Sequence, residues 1–234
     1  MFLFVTEPHP LDSPTRLALE GPQSAIAERK GRVLRFPPDV CPFYAMPDDP
    51  DEQDWADLAE LAGPGGVVAL SATWLPFPEN WEVVFEAEGV QLVADEQAGH
   101  GVPGDDEIIR LGPQDVPEML DLVARTQPGP FFPRTIELGT YLGIRRDGDL
   151  VAMAGERLRP PGYTEISAVC TDQAWRGHGL GSRLTLAVTA GIRARAEVPF
   201  LHAVATNVNA IRLYEQLGFR LRQPTMFRAA RVPA

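Results

Sequence analysis

Residues 169–182 read VCTDQAWRGHGLGS, a short apolar strand followed by a basic glycine-rich turn and the start of a helix. Gly177, Gly179 and Gly181 stand at alternate positions, so they leave backbone N–H groups unshielded where the helix begins. The first turn of a helix carries unpaired N–H donors and about half a positive charge. The stretch therefore predicts an anion-binding turn that suits a pyrophosphate.

Taken alone, the turn is compatible with two other interpretations. A tight strand–helix connection without any ligand has the same composition. A dinucleotide-binding fingerprint also has alternating glycines, but it needs an acidic residue at the end of the next strand, about 20 residues on. Here Glu197 precedes Pro199 and a strand of different register, which disfavours that interpretation.

The composition of the 234 residues is that of a globular protein, with 44% hydrophobic and 23% charged residues. Charge is distributed unevenly along the chain. Residues 1–100 carry 18 acidic and 5 basic side chains, a net charge of −13, whereas residues 101–234 carry 14 and 16, a net charge of +2. This asymmetry predicts two units, and the total of −11 disfavours a nucleic-acid partner.

The sequence shows few features that indicate a cellular location. The chain has no apolar run of the length that spans a membrane, and Met1–Pro8 lacks the basic start of a signal peptide. The two cysteines, Cys41 and Cys170, lie far apart without a pairing pattern. We therefore expect a reduced, cytoplasmic setting, no membrane association and no metal site.

The segment Gly99–Asp106 is rich in Gly, Pro and Asp and is the predicted boundary between residues 1–100 and 105–234. Signals before it are weak: helical patches within 14–30, a helix over 51–61, and strands at 33–36, 67–71, 81–88 and 91–94. After it the pattern is clear. We expect strands at 107–111, 141–146, 150–158, 163–171, 200–205 and 225–231, and helices beginning near 112, 179 and 209. We expect Pro199 to stop the helix of 179–197, and the order of elements predicts a mixed α+β fold.

A second motif lies about 30 residues after the glycine-rich turn. Residues 207–219 read NVNAIRLYEQLGF. With Arg176–Gly181, which has the pattern Arg-x-x-Gly-x-Gly, this segment resembles the two main signatures of the GNAT superfamily of acyl-CoA-dependent N-acyltransferases, in the same order and at the same separation. The resemblance covers residues 105–234.

The surrounding strands resemble a narrower branch of that superfamily, related to the glycine N-acyltransferases. Members of this branch often carry a preceding half shaped like a degenerate acyltransferase domain. The resemblance implies a central, mostly antiparallel sheet flanked by helices at 105–234, and a degenerate acyltransferase-like half at 1–100.

The resemblance also implies acetyl-CoA as co-substrate, with no metal. Backbone groups of Val169 to Thr171 would run beside the pantetheine arm, the turn would hold the pyrophosphate, and Asn207 would lie near the pantetheine. The implied acetyl-CoA-binding residues are Val169, Cys170, Thr171, Arg176, Gly177, His178, Gly179, Leu180, Gly181, Ser182, Asn207 and Tyr214.

The implied reaction is direct transfer of an acetyl group to a primary amine. Tyr214 would protonate the leaving thiolate, and the N–H of Val169 would polarise the thioester carbonyl. The acceptor ammonium must first lose a proton, and Glu165 is the predicted base. In a regular strand Glu165 shares a face with Val169, so it faces the acyl site if Val169 does.

Each of these residues also has a structural interpretation. Glu165 is compatible with a solvent-facing position, and Tyr214 with a packed helix tyrosine. Glu156 is a second candidate base, and His202 is either a core or pocket histidine or a base. Cys170 alternates away from Val169 and is interpreted as core, while the His178 ring is expected in solvent.

The acceptor side is the least defined part of the sequence. Phe131–Thr135 is either a loop that covers the substrate or an aromatic cluster that packs a helix, and Arg134 suits a substrate carboxylate. The charge of residues 1–100 would favour cationic acceptors or keep the protein soluble. We expect an N-acetyltransferase for a small amine or amino acid. The alternatives are a non-catalytic acyl-CoA sensor and a protein N-acetyltransferase, and a homodimer is compatible with either.

Overall fold

The computed structural model describes residues 9–71, 75–99 and 104–234. The expectation for Met1–Pro8 therefore lies outside the described residues, as does the middle of the predicted boundary, residues 100–103. The described chain forms a mixed α/β structure with five α-helices around one eleven-stranded sheet. The strand order in that sheet is β1-β2-β3-β4-β11-β5-β10-β9-β8-β7-β6.

The helices are α1 (Pro14–Glu20), α2 (Glu52–Ala62), α3 (Val116–Thr126), α4 (Leu180–Arg193) and α5 (Val208–Gln216). The strands are β1 (Glu28–Lys30), β2 (Val33–Arg35), β3 (Phe43–Ala45), β4 (Val67–Ser71), β5 (Glu82–Ala94), β6 (Ile108–Arg110), β7 (Tyr141–Arg146), β8 (Asp149–Glu156), β9 (Tyr163–Thr171), β10 (Val198–Val204) and β11 (Phe219–Arg231).

The C-terminal strands begin as an antiparallel meander from β6 to β9. The predicted hairpin turn joins β7 to β8, where Asp147 and Gly148 have φ angles of 53° and 96°. From β9 the chain passes through α4 and returns as β10, which pairs with β9 in parallel. Pairing covers only Tyr163–Ile166 against Val198–Leu201. Beyond that point the ladder ends, and β9 and β10 form the two sides of an opening in the sheet.

The N-terminal strands follow a similar route. β1, β2 and β3 are antiparallel, and the chain then passes through α2 into β4, which is parallel to β3. A capping box fixes the start of α2, because the side chains of Asp51 and Asp54 each accept a hydrogen bond from the other residue's backbone N–H.

The two parts of the chain exchange strands in the middle of the sheet. β5 pairs with β10, and β11 pairs with β4. β5 and β11 also pair with each other along thirteen-residue strands. Each parallel pair is therefore extended by a strand that comes from the other part of the chain. The division at residues 99–106 stays a prediction.

Helices cover both faces of the sheet and bury its apolar side chains. On one face α4 packs through Leu184, Val188 and Ile192 against β8, β9 and β10, and α5 packs in the same cluster through Tyr214. On the other face α3 packs on β7 and β8, and α1 packs near Phe43 and Phe200. Burying one such Leu or Ile contributes about 2 kcal/mol, so this packing holds the site in place.

Several element boundaries differ from the sequence prediction. The strands expected at 81–88 and 91–94 are one strand, β5, because Gly89 continues the ladder. The helix α4 ends at Arg193, and Pro199 lies inside β10 instead of stopping the helix. Proline is tolerated there because β5 pairs with β10 only from Phe200 onward. No helix in the described parts of the chain combines the length and apolar character needed to cross a membrane.

Candidate active site

An irregularity in β9 shapes the opening between β9 and β10. Met153 pairs with Cys170 and Gly155 pairs with Ser167, so β9 has one extra residue between these pairs. Ala168 lies in this bulge with a φ of 52°, a left-handed conformation that is unfavourable for a side chain with a Cβ. A strained backbone conformation of this kind persists only where the surrounding structure holds it in place. Such conformations are found most often at functional sites.

The bulge also changes which side chains share a face. Val169 packs with Ile166 against the cluster that contains α4 and α5. Glu165 and Ile166 are neighbours in a regular part of the strand, so they point to opposite faces. The expectation that Glu165 and Val169 share a face is therefore wrong, because it assumed an uninterrupted alternation.

The glycine-rich turn has the geometry expected of an anion site. Gly177 and Gly179 have φ angles of 83° and 73°, and α4 begins at Leu180 without a side-chain cap. Among the hydrogen bonds of the described residues, none uses the backbone N–H groups of residues 177–182. The turn thus presents unpaired donors at the positive end of a fourteen-residue helix.

The side chains of the turn leave this region open. Arg176 is exposed, and its Nε donates to the carbonyl of Thr171 at 3.3 Å. The His178 ring is exposed, with Nδ1 3.2 Å from the carbonyl oxygen of Trp175. A Cβ placed on Gly181 would meet Thr171 Oγ1 at 3.8 Å and Leu213 at 4.0 Å, so the turn lies between the end of β9 and α5.

The structure brings Tyr214 and Val169 into one cluster, beside the opening. Tyr214 is 8% exposed and packs edge-to-face on Phe219. Burial raises the pKa of its phenol to about 12, and the nearby Cys170 adds to that shift. The hydroxyl is therefore protonated at neutral pH and able to donate. Asn207 caps α5, because its Oδ1 accepts from the N–H of Ala210 at 3.2 Å.

Glu165 lies in a buried ion pair. Its carboxylate is 0% exposed and accepts two hydrogen bonds from Arg157, each 2.8 Å long, and one from Nδ1 of His202 at 2.7 Å. Burial alone would raise the pKa of Glu165, but the charge and hydrogen bonds of Arg157 and the hydrogen bond of His202 lower it to about 2. A carboxylate with so low a pKa is a weak proton acceptor. Its role as base stays a prediction.

A chain of hydrogen bonds continues from this pair across the sheet. Nε2 of His202 lies 3.1 Å from Nε2 of Gln91, and Oε1 of Gln91 accepts from Arg222 at 2.9 Å. Since the Gln91 amide nitrogen donates, His202 accepts at Nε2 and donates from Nδ1 to Glu165. The contacts of Arg157 and Gln91 with these residues were not predicted from the sequence. Gln91 lies beside His202 only because β5 pairs with β10.

Phe131–Thr135, expected either to cover the substrate or to pack a helix, contacts the N-terminal part of the chain, while Phe131 packs with α3 and edge-to-face on Tyr141. The Thr135 hydroxyl donates to the carbonyl of Val40 at 2.6 Å, and the N–H of Arg134 donates to the carbonyl of Asp39 at 3.0 Å. The Arg134 guanidinium pairs with the carboxylates of Asp39 and Glu137. Arg134 is thus already paired and is not a free partner for a substrate carboxylate.

The other ionisable candidates have structural partners. Glu156 is buried and pairs with Arg195 near the end of α4 at 3.0 Å. Burial raises the pKa of the Cys170 thiol to about 11 and that of Cys41 to about 12, so both are protonated at neutral pH. Cys170 packs with α3, as expected of a core residue. No group of three or more His, Cys, Asp or Glu side chains within the described residues is placed to hold a metal.

A separate cavity of about 370 Å³ lies beside α3 and the start of β8. Its lining includes the carboxylates of Glu118, Asp121, Asp149 and Asp172 and a single guanidinium, Arg125. An excess of carboxylates repels phosphates. This cavity is therefore acidic, unlike the glycine-rich turn, and does not suit a phosphate.

Comparisons with known proteins agree with the fold. Residues 141–228 match the family model described as FR47-like protein. An acetyltransferase of the GNAT family from Novosphingobium aromaticivorans has a similar structure, with 40% identity, a TM-score of 0.87, and coverage of 97% of this chain and 100% of that one. A GCN5-related N-acetyltransferase from Kribbella flavida shares the fold at 18% identity, with a TM-score of 0.58 and coverage of 94% and 96%.

A mycothiol acetyltransferase from Nocardiopsis dassonvillei is 33% identical over 93 residues, which are 36% of this chain and 28% of that protein. The match thus spans under a third of that relative. The fold and the similarity to the Novosphingobium protein define the class of this chain, that of the acetyltransferases. The chain belongs to the GNAT family of acetyltransferases.

Proposed function

We propose that this protein transfers the acetyl group of acetyl-CoA directly to the primary amine of a small molecule. The observation that carries the proposal is the turn of residues 177–182, whose unpaired N–H groups precede α4 beside the opening between β9 and β10. Backbone donors and the charge of Arg176 suit a pyrophosphate. Val169 and Tyr214 pack in one cluster beside the opening, which supports the proposal that they lie near a pantetheine arm leaving the turn.

The residues beside the opening support direct transfer of the acetyl group from acetyl-CoA to the amine. The amine attacks the thioester carbonyl, a C–N bond forms and the C–S bond breaks. The N–H of Val169 stabilises the developing oxyanion, which contributes a few kcal/mol. Tyr214 gives its proton to the leaving thiolate. The scheme needs no covalent acyl-enzyme.

The proton of the acceptor ammonium needs a route out of the site. Direct transfer to a carboxylate of pKa about 2 is unfavourable, since each unit of pKa difference costs about 1.4 kcal/mol. We therefore propose that Glu165 acts as a positioning residue, which orients the His202 ring through the hydrogen bond to Nδ1, and that the proton leaves through water.

The contacts of the covering loop support a small acceptor. Phe131–Thr135 is bound to residues 39–40 by the hydrogen bonds of Arg134 and Thr135. Residues from both parts of the chain thus hold this loop in place. A loop held in this way suits a small molecule better than a protein chain.

The start of α2 supports a degenerate acyltransferase-like half in residues 1–100, as in the branch related to the glycine N-acyltransferases. α2 connects the parallel strands β3 and β4, as α4 connects β9 and β10. Its first N–H groups face the carboxylates of Asp51 and Asp54, which satisfy donors and repel phosphate. This half would shape the acceptor site without binding CoA.

Calorimetric titration with acetyl-CoA, followed by assays of CoA release with a panel of primary amines, tests the proposal. We expect stoichiometric binding and release that depends on one acceptor class. Binding without release for any amine, but with release for a peptide, would establish a protein acceptor instead. Absence of binding for acetyl-CoA and longer acyl-CoAs would overturn the assignment of the turn.

A further inference from the structure

Gln91 on β5 is a buried amide whose orientation is fixed by its partners. Its side chain lies in a residue that is 0% exposed. Oε1 accepts from Nη1 of Arg222 at 2.9 Å, and Nε2 donates to the carbonyl of Leu11 at 2.9 Å. A guanidinium can only donate and a carbonyl can only accept, so the oxygen and nitrogen of the amide cannot be exchanged. Gln91 therefore presents an N–H to Nε2 of His202, 3.1 Å away.

The His202 ring is held by a hydrogen bond at each of its nitrogens. Nε2 accepts from Gln91, and Nδ1 donates to Oε1 of Glu165 at 2.7 Å. The ring is thus neutral, with its proton on Nδ1, and its side chain is buried. Rotation of the ring, or a second proton on Nε2, would break the bond to Gln91.

The bond between Glu165 and His202 joins β9 to β10 where their backbone pairing ends. Ile166 and Leu201 are the last paired residues of these two strands. Glu165 precedes Ile166 and His202 follows Leu201, so the side-chain bond spans the end of the ladder. Gln91 is the partner of His202 in the pairing of β5 with β10. The two bonds of the ring therefore tie β9, β10 and β5 together at the start of the opening.

The bulge that follows in β9 needs such support. Ala168 lies three residues after Glu165 and has the left-handed φ of 52°. A strained conformation persists only where its surroundings hold it, and an anchored Glu165 restrains the strand just before the bulge. Val169, the next residue, carries the N–H proposed to stabilise the oxyanion. The direction of that N–H thus depends on the anchor.

We infer that Gln91 is a positioning residue for acetyl transfer, which acts through His202 and Glu165 on the bulge of β9. The N-terminal part of the chain thereby contributes to the rate of the reaction. The inference rests on the proposed function, because it takes the N–H of Val169 to stabilise the oxyanion. Such a donor acts in the transition state, so loss of its position lowers kcat and leaves the affinity for acetyl-CoA unchanged.

Long-range proton–nitrogen NMR of the 15N-labelled full chain at pH 7 reads the protonation of His202, with His202→Phe to assign its signals. We expect a single neutral form in the wild type, with the proton on Nδ1. Gln91→Met keeps the length of the side chain but removes the amide, so the single form should be lost. Gln91→Glu offers only acceptors to Nε2, so both ring nitrogens should carry a proton.

CoA release with the best amine of the acceptor panel, and calorimetry with acetyl-CoA, measure the effect on the reaction. We expect kcat of Gln91→Met to fall about fivefold to tenfold, as for one lost hydrogen bond, with the Kd of acetyl-CoA unchanged. Thr164→Val is the matched control. The Thr164 hydroxyl is on β9 beside Glu165, in a residue that is 0% exposed, and donates to Oε2 of Glu197 at 2.6 Å. This variant should lower Tm but leave kcat and the His202 signals unchanged.

The outcomes separate this inference from the proposed function. If Gln91→Met lowers Tm but keeps kcat, or if Thr164→Val lowers kcat equally, Gln91 has a structural role only and the inference is refuted. An unchanged His202 spectrum in both Gln91 variants would refute it as well. If Gln91→Met does not fold, Gln91→Glu, which keeps Arg222 as a partner, decides by the same criteria. Absence of acetyl-CoA binding in the wild type would instead refute the proposed function.

Discussion

At the scale of single residues, environment separates the two groups that the sequence marked as catalytic. Tyr214 is buried among apolar side chains, which keeps its hydroxyl protonated. Glu165 is buried beside a guanidinium, which keeps its carboxylate ionised. The sequence predicted a catalytic role for both positions, but it did not reveal the protonation state of either side chain. That state depends on Arg157, which is eight residues from Glu165 and meets it only because β8 and β9 are neighbours.

Replacing Tyr214 with Phe tests the proton donor. We expect kcat to fall about 100-fold, with little change in acetyl-CoA affinity, because the hydroxyl acts when the thiolate leaves. Stopped-flow CoA release and calorimetry measure the two quantities. Tyr163→Phe is the control, since its hydroxyl lies beside His9, 3.2 Å from Nε2. Unchanged kcat in the Tyr214 variant would remove this residue from the mechanism.

The low pKa of Glu165 predicts acid sensitivity. Its folded pKa of about 2 lies below the ordinary value of 4.5, so the stabilisation is fully present above about pH 4.5 and is lost as pH falls toward 2. Urea unfolding across this range should show a falling midpoint. In Glu165→Gln the chain should be less stable at pH 7, by about 3 kcal/mol or more, because Arg157 stays buried without a counter-charge.

Measurements on Glu165→Gln can also contradict this prediction. Below pH 4.5 its stability should depend less on pH than that of the wild type. Parallel curves for the two proteins would show that another group causes the acid sensitivity.

At the scale of elements, two helices occupy equivalent places after parallel strands and differ at their first residues. α2 starts with carboxylates that satisfy its own N–H groups, whereas α4 starts with glycines that leave them unpaired. The first arrangement stabilises the helix, and the second reserves the same donors for a ligand. Both starts are readable from the sequence, since capping and glycine effects are local.

Other features of the elements were not readable from sequence. The bounds of β7, β8 and β9 were predicted closely, because clear turn signals flank these strands. β3 was missed because it is short and lies between Pro42 and Pro47, which indicate a loop, and β5 was divided at Gly89. The bulge at Ala168 was invisible, since it depends on the register with β8. The prediction of which side chains share a face of β9 therefore failed, because strand pairing and not sequence periodicity decides their orientation there.

Gly179→Ala tests whether the glycine-rich turn binds acetyl-CoA. Its φ of 73° places alanine in a left-handed conformation, which costs about 1 to 2 kcal/mol and would shift the neighbouring N–H groups. We expect acetyl-CoA affinity to fall about tenfold or more. Gly191→Ala is the control within the same helix, where it has open space and should raise stability by about 0.5 to 1 kcal/mol. Equal affinities in both variants would contradict the assignment.

At the scale of the whole molecule, the central pair β5–β11 holds the two parts of the chain together. β5 completes the sheet beside β10, and β11 completes it beside β4. Neither part has its full set of strands without the other. The charge difference between the parts was visible in the sequence, but this exchange was not, because it joins residues more than a hundred positions apart.

The exchange predicts that residues 105–234 do not fold alone. Without β5, the strands β10 and β11 lose their common neighbour, and Gln91 no longer bonds to His202. We expect the isolated fragment to lack a cooperative melting transition and to bind no acetyl-CoA, while co-expression with residues 1–99 restores both. Calorimetry of the whole chain should show one transition. A fragment that melts cooperatively and binds acetyl-CoA would contradict this prediction.

The exchange of β5 and β11 also bears on biosynthesis. During translation β4 and β5 leave the ribosome long before residues 198–231, which supply their neighbours in the sheet. The nascent chain therefore holds unpaired strand edges for much of its synthesis, a state that favours aggregation. Folding of the N-terminal part cannot be vectorial. It must wait for β11, which supplies a neighbour to both β4 and β5.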